Sequence, residues 1–137
     1  MGGQFLNVDL EVRSKTDLIP LREAFGELVI EMFCGEVEPG RYLLSVELAS
    51  MHIAHSAGAD ATAAALCDLV ENLNEPGCRA WKVADDRVFD VGFDAVVDSQ
   101  VGQALFSSRT LARIANLDAR VALSLYTTHL AGDKKGK

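Results

Sequence analysis

Long apolar runs are missing from this chain of 137 residues. None approaches the ~20 residues that cross a bilayer, so no membrane segment is expected. No basic stretch followed by an apolar one opens the sequence, which argues against a secretory leader and makes a cytoplasmic location the expectation. The opening glycines do not complete a myristoylation signal, because Leu6 stands where that signal needs Ser or Thr. Cysteine is sparse. Cys34, Cys67 and Cys78 form no C-x-x-C pair, and an odd count at irregular spacing fits reduced thiols better than a disulfide frame. Cys34 and Cys67 read as small buried hydrophobes. The phosphate-binding and nucleophile motifs G-x-x-x-x-G-K-[ST], G-x-G-x-x-G and G-x-S-x-G are all absent, so a nucleotide loop or an α/β-hydrolase site has no support. Ser, His and Asp are present, but no spacing singles out a triad. No catalytic residue is assigned and no cofactor is expected.

Positive charge is scarce where it would matter for nucleic acid. Residues 1–50 hold nine acids and four bases, and residues 51–100 hold nine acids and three bases. Only residues 101–137 reverse the balance, with two acids and six bases, leaving a net charge of −7. An acidic body of that kind argues against a partner bound through its phosphates. It is compatible with a basic protein partner, or with acidity that serves only solubility.

What is present reads as one α+β domain over residues 1–130, followed by a disordered tail at 131–137. The organising stretch is a hairpin over residues 28–49. Leu28, Ile30, Met32 and Cys34 alternate on its first strand, and Tyr42, Leu44, Val46 and Leu48 on its second. The two glycines and one proline of residues 35–40 supply the reversal. Residues 5–13 form the cleanest strand, with Leu6, Val8, Leu10 and Val12 against Asn7, Asp9, Glu11 and Arg13. A short helix follows, capped by Asp17 so that Pro20 falls in the first turn, with Leu18, Leu21 and Phe25 inward and Gly26 as its stop. Residues 50–59 read as a loop. Asp60 caps a helix over residues 61–73, with Leu66, Leu69, Val70 and Leu73 inward. Residues 78–84 form a short helix that buries Trp81, and residues 87–96 a strand in which Asp90 and Asp94 share a face across Gly92. Ser107 or Ser108 caps the next helix, which carries Leu111, Ile114 and Ala115. The last strand covers residues 120–127, with Val121, Leu123 and Leu125 inward.

Residues 14–33 laid ungapped on residues 107–126 match as cap, short helix, tight turn and strand. The match is either an internal duplication or the ordinary pattern of any helix-then-strand unit. The order β-α-β-β-α-β-α-β then fits a ferredoxin-like split βαβ sheet with an additional C-terminal α-β unit. Right-handed crossovers place the helices on one face. The other face would carry Asn7, Asp9, Glu11, Glu31, Glu47, Asp90 and Asp94.

The segments Phe5-Leu6-Asn7-Val8-Asp9-Leu10-Glu11-Val12 and Phe89-Asp90-Val91-Gly92-Phe93, with the helix and strand that end at Tyr126, resemble a family of small bacterial proteins of unknown function. Relatives of that kind occur in toxin–immunity settings, so the resemblance implies a binder. It brings no catalytic set.

One metal-type spacing stands out. His52 and His55 are three apart, which on a helical turn puts both imidazoles on one side, with Asp60, Glu47 or His129 as further donors. Three functional classes follow. The first is a non-enzymatic protein-binding or self-assembling module, immunity-type in one version, which offers Asn7, Asp9, Glu11, Asp90 and Asp94 or a free strand edge to a protein partner or to a second copy as a homodimer. The second is a metal-dependent enzyme or sensor built on His52 and His55. The third is a small-ligand-sensing regulatory domain, by analogy of fold alone.

Overall fold

The computed structural model describes residues 3–49, 51–95 and 104–126, with side chains at 5–49, 58–94 and 104–126. The tail at 131–137 and His129 lie outside the described residues. Among the described residues five strands form one mixed sheet in the order β2-β3-β1-β4-β5. They are β1 (Gly3–Ser14), β2 (Val29–Glu38), β3 (Arg41–Leu48), β4 (Asp86–Ala95) and β5 (Arg120–Tyr126). Four α-helices among the described residues join them: α1 (Ile19–Phe25), α2 (Met51–Glu71), α3 (Glu75–Val83) and α4 (Ser108–Asn116). The chain is therefore α+β. β1 lies antiparallel between β3 and β4. β3 is antiparallel to β2 as well, so it separates the parallel pair β1 and β2. β5 adds parallel to β4.

The period-two pattern of β1 decides which side is covered. Val8, Leu10, Val12 and Ser14 are buried, while Asn7, Asp9 and Glu11 are only half-buried on the other side. Leu44, Val46 and Leu48 of β3 and Phe89 and Val91 of β4 join the buried set. So do Leu21 and Phe25 of α1, Ala63, Leu66, Cys67 and Val70 of α2, Ala80 and Trp81 of α3, and Ile114 of α4. All four helices thus share one core with a single face of the sheet.

Several local readings hold. Pro20 sits in the first turn of α1, and Leu18, Leu21 and Phe25 are buried, but the N-cap is Leu18 and not Asp17, whose carboxylate accepts the Ile19 N–H at 3.1 Å one residue ahead of it. Gly26 takes φ 57° where that helix stops. Trp81 is a core anchor, and its indole N–H donates to the Leu117 carbonyl at 3.1 Å. Ser107 caps α4, accepting the Thr110 N–H at 3.0 Å.

Other readings need correction. The β2 strand carries an extra residue at Met32, because Glu31 pairs with Val46 but Phe33 pairs with Ser45. That bulge reverses the alternation. Ile30 and Phe33 therefore lie on the open face, Cys34 on the helix face, and the expected single stripe does not exist. Glu31 also moves to the helix side, where its carboxylate is 3.6 Å from Arg22 of α1. The hairpin strands run on to Glu38 and restart at Arg41, so only Pro39 and Gly40 make the turn. The segment read as a loop begins α2 at Met51, with the break confined to Gly58 (φ 86°, ψ −174°). Glycine alone takes that backbone region without a Cβ penalty. Asp60 does not cap α2. Its carboxylate accepts the Ser107 N–H at 2.9 Å, which fixes the cap of α4 and holds the Asp60 carboxyl below its usual range. Val121, Leu123 and Leu125 do align with the Phe89, Val91 and Phe93 side, yet all three are exposed on the edge strand.

Candidate functional site

The open face gathers its chemistry along one transverse row. At a single register level, Ile30 of β2 pairs with Glu47 of β3, Glu47 with Asp9 of β1, Asp9 with Asp90 of β4, and Asp90 with Ala122 of β5. Three carboxylates therefore stand side by side on the three central strands, where directly opposed Cβ atoms are about 4.5–5.5 Å apart. The next row places Phe33, Ser45, Glu11, Val88 and Arg120 in line. Neutral donors tie part of this layer together. The Asn7 amide donates to Glu47 Oε2 at 2.8 Å and to Asp9 Oδ1 at 3.4 Å, and the Ser124 hydroxyl donates to Asp90 Oδ1 at 2.6 Å.

Cations do not answer the acids. Among the described residues no salt bridge reaches Asp9, Glu11, Glu47 or Asp90. The guanidinium of Arg120 is held instead by Asp86, at 2.7 and 3.1 Å. Asp9 carries the electrostatic consequence. Partial burial first, then the charges of Glu47, Asp90 and Glu11, push its carboxyl from 3.8 up to about 6. Tyr126, whose ring packs above Gly92, is raised for the same reasons, burial first and then Asp90, Asp9 and Glu11. Asn7 Oδ1 and Asp94 Oδ1 are buried without a hydrogen-bond partner among the described residues. Asp9 can hold a proton up to about 6, and the layer can attract cationic groups.

The structure thus brings Asn7, Asp9, Glu11, Asp90 and Asp94 onto one face, with Glu47 beside them. Sequence reasoning missed Ser124 and Tyr126 of β5. Their signal was present, since alternation against Val121, Leu123 and Leu125 puts both on the polar side. His52 and His55 fall in the first turns of α2, where their side chains lie outside the described residues. No group of three or more His, Cys, Asp and Glu side chains converges in a metal-holding arrangement among the described residues. Burial raises the thiols of Cys67, to about 11, and of Cys34, which suits packing and not nucleophilic chemistry.

A cleft of about 320 Å³ opens between the end of α2, α3 and the turn after α4. Arg87, at the start of β4, forms its floor, and its guanidinium is already committed. It donates to the carbonyls of Trp81, Ala84 and Asp118 and to Asp118 Oδ2, at 2.8–3.2 Å. Arg87 clamps α3 to the turn before β5, where Asp118 takes φ 59°. Four of its five N–H groups are taken among the described residues, so one on Nη2 is left to meet a ligand.

Comparison with protein-family models, with curated proteins and with solved structures gives no match. No helix among the described residues is long and apolar enough to cross a membrane.

Proposed function

We propose that this chain is a non-enzymatic protein-binding module whose open sheet face receives a basic protein partner. One observation carries the reading. Asp9 is flanked at its own register by Glu47 and Asp90, with no cation paired to any of them among the described residues, and burial first, then these charges, pushes its carboxyl up to about 6. A folded domain that keeps like charges flush on a half-buried surface holds them at a cost that a cationic partner would remove. Ile30, Phe33 and Tyr126, each partly exposed around the acidic row, supply the apolar and aromatic contact that a specific interface also needs. An immunity-type inhibitor that covers a basic surface is one form of such a module.

The test uses two baits, the natural chain and the triple variant Asp9→Asn, Glu47→Gln, Asp90→Asn. Each is exposed to an extract of the source cells at about 0.05 M salt and then washed toward 1 M, where the Debye length falls to about 3 Å. The expected result is a basic protein, identified by mass spectrometry, that the natural chain retains, that salt releases, and that the variant does not hold. The purified partner must then bind the natural chain and fail to bind the variant. Identical retention on both baits would refute the proposal.

A further inference from the structure

The two edges of the sheet are built differently. The β2 edge is interrupted by irregular register between Glu31 and Phe33 and again between Glu36 and Glu38, and it carries Glu31, Glu36 and Glu38. Bulges and edge charges are the ordinary means by which a strand resists pairing with another chain. The β5 edge has neither. Its register to β4 runs without a shift from Arg120 to Tyr126, and Val121, Ala122, Leu123, Ser124 and Leu125 between them bear no charge. Among the described residues no strand pairs with its outer side. Leu123 and Leu125, on the side of the core, are 67% and 70% exposed.

We propose that β5 pairs with β5 of a second copy of this chain about a two-fold axis perpendicular to the sheet, giving one continuous ten-stranded sheet. The sequence of the strand is self-complementary under that operation. Antiparallel pairing centred on Leu123 overlaps the whole strand, and it sets Val121 opposite Leu125, Leu123 opposite Leu123 and Ala122 opposite Ser124. Arg120 then faces Tyr126, a cation opposite an aromatic ring, at both ends. No like charges meet. The two-fold keeps each face on its own side, so apolar side chains meet apolar side chains on the helix side and small ones meet on the open side. The contact is isologous and closed, which makes a dimer and not a fibre. It also sets two acidic faces beside each other on one surface. The inference does not depend on what the acidic face binds, and it is tested without a partner.

The experiment is native mass spectrometry with light scattering at about 100 µM, well above the micromolar constants of weak specific pairs. The full chain should be a dimer. Leu123→Lys should be a monomer with an unchanged circular dichroism spectrum and the melting curve of the natural chain diluted to monomer, because the side chain is already exposed and two ammonium groups would meet on the axis. Val121→Lys should weaken the dimer at least about tenfold. Adding Leu125→Glu to it should restore the dimer, because in this register each new lysine faces a new glutamate. A natural chain that stays monomeric overturns the proposal, as does a dimer indifferent to Leu123→Lys. Failure of the double variant to regain the dimer overturns the register. These outcomes are separate from those of the bait experiment, in which the three substituted acids lie outside β5.

Discussion

Leu10 and Asp9 are consecutive residues of β1 that live in opposite surroundings. Leu10 is fully buried between its register partners Val46 and Phe89, beneath the helices. Asp9 faces the other way, between Glu47 and Asp90. The register partners of Leu10 are apolar like itself, whereas those of Asp9 carry its own charge. The difference shows where stability comes from and where it is given up. Natural sequences tend to break local rules at the places that serve function, so the open face marks itself out by its misfit.

The widest separation of the two faces should appear on truncating Leu10. Leu10→Ala leaves a void that the strand and α2 cannot close, and it should cost about 3 kcal/mol in urea unfolding with an unchanged slope. A loss below about 1 kcal/mol would mean that the covered face is not packed as described. The helix layer over that face offers the next largest effect. A Cβ added at Gly77 of α3 would stand 2.5 Å from the Ala24 Cβ of α1, and neither atom can rotate away. Gly77→Ala raises intrinsic helix propensity by up to about 1 kcal/mol, but the clash should outweigh it and leave a net loss of about 1–2 kcal/mol. A variant more stable than the natural chain would disprove that α1 and α3 approach so closely.

The covered face was largely legible in the sequence, because burial imposes a period that residue types record. β1, the inward stripe of α1 and the anchor role of Trp81 could all be read this way. The failures share a cause. The bulge at Met32 is a feature of pairing, and no residue in Glu31-Met32-Phe33 announces it. The role of Asp60 depends on a residue 47 positions away. The exposure of Leu123 and Leu125 goes with their place on the edge strand, which alternation within one strand does not encode. The acidic row was legible in part. Which acids share a face follows from parity, whereas the alignment of Glu47, Asp9 and Asp90 at one level required the register.

The smallest expected effect has the opposite sign, and it tests the open face directly. The folded Asp9 carboxyl holds its proton up to about 6, against 3.8 for the free side chain. Between those values the folded chain binds a proton that the unfolded chain has released, so stability falls as pH rises through that window. Below it the carboxyl is protonated in both states and carries no penalty. Above it the full penalty applies. Asp9→Asn removes the charge and keeps the shape, and the new amide can donate to Glu47 or Asp90. The substitution should therefore stabilise the fold at about pH 7 by on the order of 1 kcal/mol, a figure reduced for screening by the water over a half-buried surface. The two curves should converge below the window. Urea midpoints measured against pH for both proteins decide the matter. Parallel profiles, or a less stable Asp9→Asn at neutral pH, would show that the carboxylates do not strain the face. If they do, a cationic partner seated there must lower the Asp9 titration toward its ordinary range. Its binding near pH 6 should then release a fraction of a proton, seen as a calorimetric heat that changes with the ionisation enthalpy of the buffer, and Asp9→Asn should abolish that dependence.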